Sequence, residues 1–180
     1  MTEFEDRNAV VTGAGRGIGQ ATAQLFAARG ASVVACSRTQ HELDELVRTI
    51  QEGGGRAVGV VADLATVDGC ADLAMRATNE LGRIDMLVNN VGGSRPGRIR
   101  ELENDDWQAA LELNFLSAVR VTSALLPSMV PGPASIVNIS STSGREPARL
   151  FGPYAAAKRQ PQRPYRNSMR RGKGRAITGI

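Results

Sequence analysis

Tyr154 and Lys158, four residues apart, are the pair in this 180-residue chain whose chemistry best suits proton transfer. On a helix both side chains lie on one face. An ammonium beside a phenol stabilises phenolate, which brings a tyrosine toward the working range of a general acid/base. Ser141 stands 13 residues earlier, after an apolar run, where a hydroxyl can donate to an oxygen that gains negative charge. Taken alone, the pentapeptide 154–158 favours a plainer reading, a surface Tyr and Lys on an ordinary helix. Its weight comes from the rest of the chain.

A second stretch has the form of an anion site. Thr12-Gly13-Ala14-Gly15-Arg16-Gly17-Ile18-Gly19 follows the apolar run 9–11 and precedes a segment, 20–29, with apolar residues at helical spacing and Gly30 as a stop. Strand, glycine turn and helix start leave outward backbone N–H groups, and the helix dipole favours a phosphate there. Glycine also lets a pyrophosphate approach where a Cβ would collide. The spacing Gly13-x3-Gly17-x-Gly19 differs from GxGxxG, and no Gly-Lys-Ser/Thr follows as in a P-loop. A glycine turn without ligand is the alternative.

The elements that position these residues alternate. Strands are predicted at 9–11, 31–36, 57–61, 84–88 and 135–139, and helices at 20–29, 40–52, 66–81 and from 104 or 105 toward Pro127. A loop is predicted over 140–153. Such alternation implies right-handed βαβ crossovers and an α/β, doubly wound parallel sheet. Ligands bind such sheets outside the carboxyl ends of the strands. Each polar cluster follows a strand: Gly13 to Gly19, Ser37-Arg38, Asp63, Asn89-Asn90 and Ser140-Ser141. One shared site is therefore expected.

Composition bounds the rest. The chain suits one domain with a real core, its apolar content is 42%, and no apolar run approaches a membrane span. The acidic start lacks the form of a signal peptide. Cys36 and Cys70 fall in predicted core elements without metal spacing, and read as reduced thiols of a cytoplasmic protein. No metal site is expected. Residues 1–158 carry 15 basic against 18 acidic residues, while seven basic residues and no acid occupy 159–180. The body is expected to be the domain, and 159–180, with Pro161 and Pro164, a disordered Arg/Pro-rich tail. That tail has one aromatic, Tyr165, and no recognisable nucleic-acid module.

Six pieces in order, Thr12 to Gly19, Asp63-Leu64, Asn89-Asn90-Val91-Gly92, Asn114, Ser141 and Tyr154-x3-Lys158, resemble the short-chain dehydrogenases/reductases over roughly 8–158. The resemblance implies a Rossmann-like fold, here truncated after the fifth strand, and an oxidoreductase that interconverts a carbonyl and a secondary alcohol. It implies Tyr154 as proton donor or acceptor, Lys158 on Tyr154 and the nicotinamide ribose, Ser141 on the substrate oxygen, and Asn114 holding a water in a proton relay. It places Gly13, Arg16, Gly17, Ile18, Gly19, Ser37, Arg38, Asp63, Leu64, Asn90, Val91 and Gly92 along the cofactor, with Asp63 on the adenine amino group. Asn89 resembles the residue that ties the family's sheet together. Val91 stands where alanine is usual.

The phosphate state of the cofactor follows from charge. A carboxylate after the second strand would hold a ribose 2′-OH and repel a 2′-phosphate. Ser37-Arg38 stands there, with Arg16 in the glycine turn, and two guanidiniums and a hydroxyl suit a phosphate dianion. NADP(H) is favoured over NAD(H), unless Arg16 and Arg38 are merely exposed. His41 is expected to be solvated and Trp107 to pack. Arg95, Arg98 and Arg100 form a rim that can meet an acidic substrate. The family's remaining strands, with the segment covering the substrate, have no match after Lys158. A frame shift there, or a genuinely shorter protein, is expected to leave poor turnover, at most nucleotide binding, and a compromised form of the family's homo-oligomer.

Overall fold

The structure, a computed structural model, describes residues 3–130 and 132–159. Five strands form one parallel sheet: β1 Asn8–Thr12, β2 Ser32–Ser37, β3 Arg56–Val61, β4 Met86–Asn89 and β5 Ser135–Asn138. Their spatial order is β3-β2-β1-β4-β5. The chain winds outward from β1 to β3, then returns to β1's other side, so the switch point lies between β1 and β4. A crevice opens there outside the strands' carboxyl ends.

Helices α1 Gly17–Ala28 and α2 Gln40–Glu52 cover one face, and α3 Val67–Leu81 and α5 Ser117–Met129 the other. The strand pleat explains the division. Val10, Val34, Leu87 and Ile136 point to a cluster with Leu73, Val121, Leu125 and Met129. Their neighbours Ala9, Val11, Val33, Ala35 and Val88 point to Ala23, Ala27, Leu43, Leu46 and Ile50. Strands buried on both faces read as continuous apolar runs, which is why the sequence marks them. Each wholly buried Leu or Ile stabilises by about 1.5–3 kcal/mol.

The predicted boundaries need four adjustments. Helix α1 starts at Gly17, inside the glycine turn, and β4 starts two residues late. Before β4, the Ile84 N–H donates to the Ser128 carbonyl, outside the sheet, and the Asp85 carboxylate takes the Asn8 N–H. The long helix is three pieces: α4 Asn104–Leu111, a π-helical turn Glu112–Leu116, and α5, which runs two residues past Pro127. Finally, α6 Gly152–Arg159 begins before Pro153, whose missing N–H costs nothing in a first turn.

The stretch Asn104–Met129 is also long and apolar enough to cross a membrane by length and composition, against the expectation that no run reaches that size. Core helices pass the same test. Here Val121, Leu125 and Met129 face the sheet, and Arg120 pairs with Glu112 midway along the stretch. The tail beyond Arg159, with Pro161 and Pro164, lies outside the described residues.

Candidate active site

The glycine turn is built by two positive φ angles, +62° at Gly13 and +58° at Gly17, which an L side chain rarely adopts. Gly19 packs α1 against the turn, since a Cβ there would strike the Gly13 carbonyl. Arg16 is the N-cap of α1, in extended backbone and with no side-chain cap bond. The helix thus presents its first N–H groups and its positive dipole end to the crevice.

Thr12 and Asn90 join this turn to the end of β4. Thr12 Oγ1 accepts from the N–H groups of Asn90 (2.9 Å) and Val91 (3.1 Å). Asn90 Nδ2 donates to the carbonyls of Thr12 (3.1 Å) and Gly13 (3.0 Å). One residue earlier, buried Asn89 Nδ2 donates to Thr122 Oγ1 (3.0 Å) and Asn138 Oδ1 (2.9 Å). It links β4 to β5 and α5, the sheet-tying place its resemblance implied.

A cleft of about 580 Å³ runs along this junction. Gly13, Arg16, Gly17, Ile18, Ser37, Arg38, Leu64, Asn90, Val91 and Gly92, all singled out in the sequence, line it. Ile18 is 61% exposed, an apolar side chain left open at the helix start. Arg16 and Arg38 are exposed and enter no ion pair among the described residues. Asp63 sits between two lining residues, Ala62 and Leu64, and its Oδ1 accepts from Ala65 N at 3.1 Å.

Gly15, Cys36, Thr39, Glu42 and Ala62 also line the cleft without having been assigned to the cofactor from the sequence. Glu42, in the first turn of α2, accepts a hydrogen bond from Ser37 Oγ at 3.3 Å, so a carboxylate does stand beside the end of β2. Gly15 lies beneath that pair. The signal was an acid one turn into the helix after Ser37-Arg38.

The cleft reaches the candidate proton-transfer residues at Gly92. A Cβ on Gly92 would lie 2.8 Å from Asn114 Oδ1 and 2.9 Å from Lys158 Nζ. Asn114 is buried in the π-helical turn, and its Nδ2 donates to the carbonyls of Gly93 and Ala110, both at 2.9 Å. Lys158, 4% exposed, donates from Nζ to the Ile139 carbonyl at 3.0 Å, and Nζ stands 5.9 Å from the Tyr154 ring centre. Burial pushes its ammonium down to about 8. Ser140 Oγ donates to the Lys158 carbonyl at 3.0 Å and ties α6 to the end of β5. Ser141 Oγ accepts from Ser143 N at 3.2 Å and opens a 3-10 turn, Thr142–Gly144, against which α6 packs so closely that a Cβ on Gly144 would lie 2.9 Å from the Lys158 carbonyl.

The remaining candidates are peripheral. Trp107 lies against Gly152 at the start of α6. Arg95 pairs with Asp106, and Arg98 and Arg100 with Glu101. His41 is exposed. Cys36 and Cys70 are free and buried, and burial foremost pushes the Cys36 thiol up to about 12. Among the described residues no cluster could hold a metal ion.

The family model described as short chain dehydrogenase matches residues 7–163. An uncharacterized oxidoreductase of Mycobacterium tuberculosis is 42% identical over 160 residues, covering 88% of this chain and 61% of that protein. A 3-oxoacyl-acyl-carrier-protein reductase of Thermotoga maritima is 34% identical over 142 residues, covering 78% and 58%. A solved 7α-hydroxysteroid dehydrogenase, complexed with NADH and 7-oxo glycochenodeoxycholic acid, superposes with a TM-score of 0.83 at 32% identity, covering 87% of this chain and 61% of that one. The chain spans about three fifths of the length of the relatives it matches.

Proposed function

The chain belongs to the short-chain dehydrogenase family, and from that membership we propose that it is an NADP(H)-dependent oxidoreductase interconverting a small-molecule ketone and its secondary alcohol. The observation that carries the reading is Gly92, which lines the cleft beside the glycine turn while lying against both Asn114 and Lys158. A ligand whose phosphates meet the α1 N-terminus would run along that cleft toward Lys158.

The residues fit such a cofactor. Gly13, Gly17 and the uncapped start of α1 form an anion cradle. Arg16 and Arg38, which line the cleft and enter no ion pair among the described residues, are available for a 2′-phosphate. Leu64, Ile18, Asn90, Val91 and Gly92 would border the rest, with Asp63 on the adenine amino group. When bound, a nicotinamide dinucleotide supplies or takes the hydride.

The protein's own part is proton transfer and positioning. Tyr154 gives its hydroxyl proton to the carbonyl oxygen during reduction and takes it back during oxidation. The Lys158 ammonium stabilises the phenolate left behind, and its bond to the Ile139 carbonyl keeps it beside the ring. Ser141 donates to the same substrate oxygen as charge develops. Asn114 fixes the strand of backbone that follows Gly92 and would hold the water through which Lys158 is reprotonated. The buried free thiols suit a reducing compartment.

A second reading is nucleotide binding without turnover. Its ground is that every cleft-lining residue falls between positions 13 and 92, and none of them is Ser141, Tyr154 or Lys158. Calorimetry with NADP+ and NAD+, beside NADPH oxidation with a panel of ketones, separates the two. Saturable binding with turnover supports the oxidoreductase, and binding alone supports the second reading. No binding of either dinucleotide overturns both.

A further inference from the structure

Ser37 and Glu42 close over Gly15. Glu42 reaches back from the first turn of α2 to accept the Ser37 hydroxyl at 3.3 Å. A Cβ on Gly15 would collide with the Glu42 carboxylate and stand 2.6 Å from Ser37 Oγ. Gly15 has no positive φ, so backbone conformation does not demand glycine there. What demands it is space for this carboxylate.

Glu42 is half-buried and lines the same cleft as Arg16 and Arg38, yet pairs with neither among the described residues. An unneutralised carboxylate in the wall of an anion site opposes a phosphate dianion and favours a neutral hydroxyl, from which it can accept a hydrogen bond. We infer that Glu42 is a specificity-determining residue: seated on Gly15 by Ser37, it restrains the preference for a 2′-phosphate that Arg16 and Arg38 create, so that the chain keeps usable affinity for NAD(H). The inference rests on the reading of this cleft as a dinucleotide site. Selectivity is then a contest of two guanidiniums against one carboxylate, and the three groups come from different segments of the chain. Ser37 and Gly15 act on selectivity only by holding that carboxylate in place.

The test is calorimetric, with NADP+, NAD+ and the fragment 2′,5′-ADP as probes, on the full chain and its Glu42→Gln and Glu42→Ala variants. Removing the charge should tighten NADP+ and 2′,5′-ADP by about three- to tenfold. NAD+ should hold steady or weaken, and the gain should shrink at high salt, where the exposed charges are screened. Both variants should move in the same direction, and their thermal midpoints report that the fold is kept. If NADP+ and NAD+ bind the unaltered chain but their ratio is unmoved in both variants, Glu42 has no such role and the cofactor assignment stands. If the unaltered chain binds neither dinucleotide, the cofactor assignment falls and takes this inference with it.

Discussion

Asn114 and Gly93 are joined twice: the Gly93 N–H donates to Asn114 Oδ1 at 3.0 Å, and Asn114 Nδ2 donates to the Gly93 carbonyl at 2.9 Å. A side-chain amide thereby pairs with a peptide unit as a neighbouring strand would. The loop after β4 has no ladder partner at that point, so this pairing fixes its course past Lys158. Asn114 lies in the π-helical turn, and the same Nδ2 also donates to the Ala110 carbonyl one turn back, which anchors the amide to its own helix.

Asn114→Ala removes three hydrogen bonds and leaves Gly93 with an unpaired N–H and carbonyl. Partly buried orphaned groups cost about 1–3 kcal/mol. Urea unfolding should report a loss of that size, and the Gly93 amide should exchange faster while amides in β1 keep their protection. Unchanged exchange at Gly93 would mean the loop is held by something else.

Gly92→Ala tests the place where the cleft meets the proposed proton-transfer residues. The new Cβ would lie under 3.0 Å from both Asn114 Oδ1 and Lys158 Nζ. The lysine end can shift, whereas the amide is held by its bonds, so Lys158 is displaced from the Ile139 carbonyl. Turnover should fall by about tenfold or more, while dinucleotide affinity falls less, since Arg16 and Arg38 are untouched. Equal losses in both would place Gly92 in binding alone.

The pH dependence of stability isolates Lys158. Burial lowers its ammonium to about 8 from an ordinary value of 10.5. The unfolded chain therefore holds a proton between those values that the folded chain has released, and stability rises with pH across that window. At neutral pH the buried charge costs on the order of 3 kcal/mol. Cys36 acts in the opposite sense. Its thiol is raised to about 12 from 9.0, so the unfolded chain ionises first and stability falls as pH rises above 9. The lysine's rise dominates between about pH 7 and 8.5, before the thiols of Cys36 and Cys70, both raised from 9.0, ionise appreciably in the unfolded chain. Urea midpoints should climb there in the unaltered chain, and the climb should vanish in Lys158→Met, which should also be the more stable protein at pH 7. A parallel climb in Lys158→Met would assign the titration elsewhere.

Much of this was legible in residues. The runs Ala9-Val10-Val11 and Ser32 to Cys36 are apolar because both sheet faces are covered, which is what marks them as parallel strands, whereas the order β3-β2-β1-β4-β5 is seen only in the structure. The glycine turn, Ser37-Arg38 and Asn90 to Gly92 were found because each follows a strand, and the cleft gathers them. Glu42 was not, because its reach back to Ser37 depends on how α2 leaves β2. Nor was the π-helical turn, since Glu112 to Leu116 carries no proline or glycine to announce it. The pairing of Lys158 with the Ile139 carbonyl joins residues 19 apart across a loop, a relation no local pattern records.

Charge reversal at Arg38 tests the phosphate state. Arg38 lines the cleft, is exposed and carries no ion pair among the described residues, so its charge is free for a ligand. Arg38→Asp replaces a charge-assisted contact with repulsion beside Glu42. Affinity for NADP+ should drop by about a hundredfold, and that for NAD+ by less than about threefold. Calorimetry showing equal affinities in the unaltered chain would overturn the NADP(H) preference.

Tyr154→Phe is the most economical test of the chemistry. It deletes one hydroxyl and keeps the ring, so the packing near Lys158 Nζ, 5.9 Å from the ring centre, is preserved. Among the described residues no other phenol is present, and His41 is an exposed residue on α2. Turnover should fall by at least about a hundredfold, the lower end of what a positioned acid/base contributes. NADP+ affinity should stay within about twofold, because no phosphate contact is lost. Lys158→Ala should differ in kind by damaging both, since the proposed mechanism has that lysine serve the phenolate and the nicotinamide ribose. The assay follows NADPH oxidation by the 180-residue chain with a panel of ketones. Full activity in Tyr154→Phe would assign the proton to another residue, and a matched loss of NADP+ binding would make Tyr154 a cofactor contact rather than the acid.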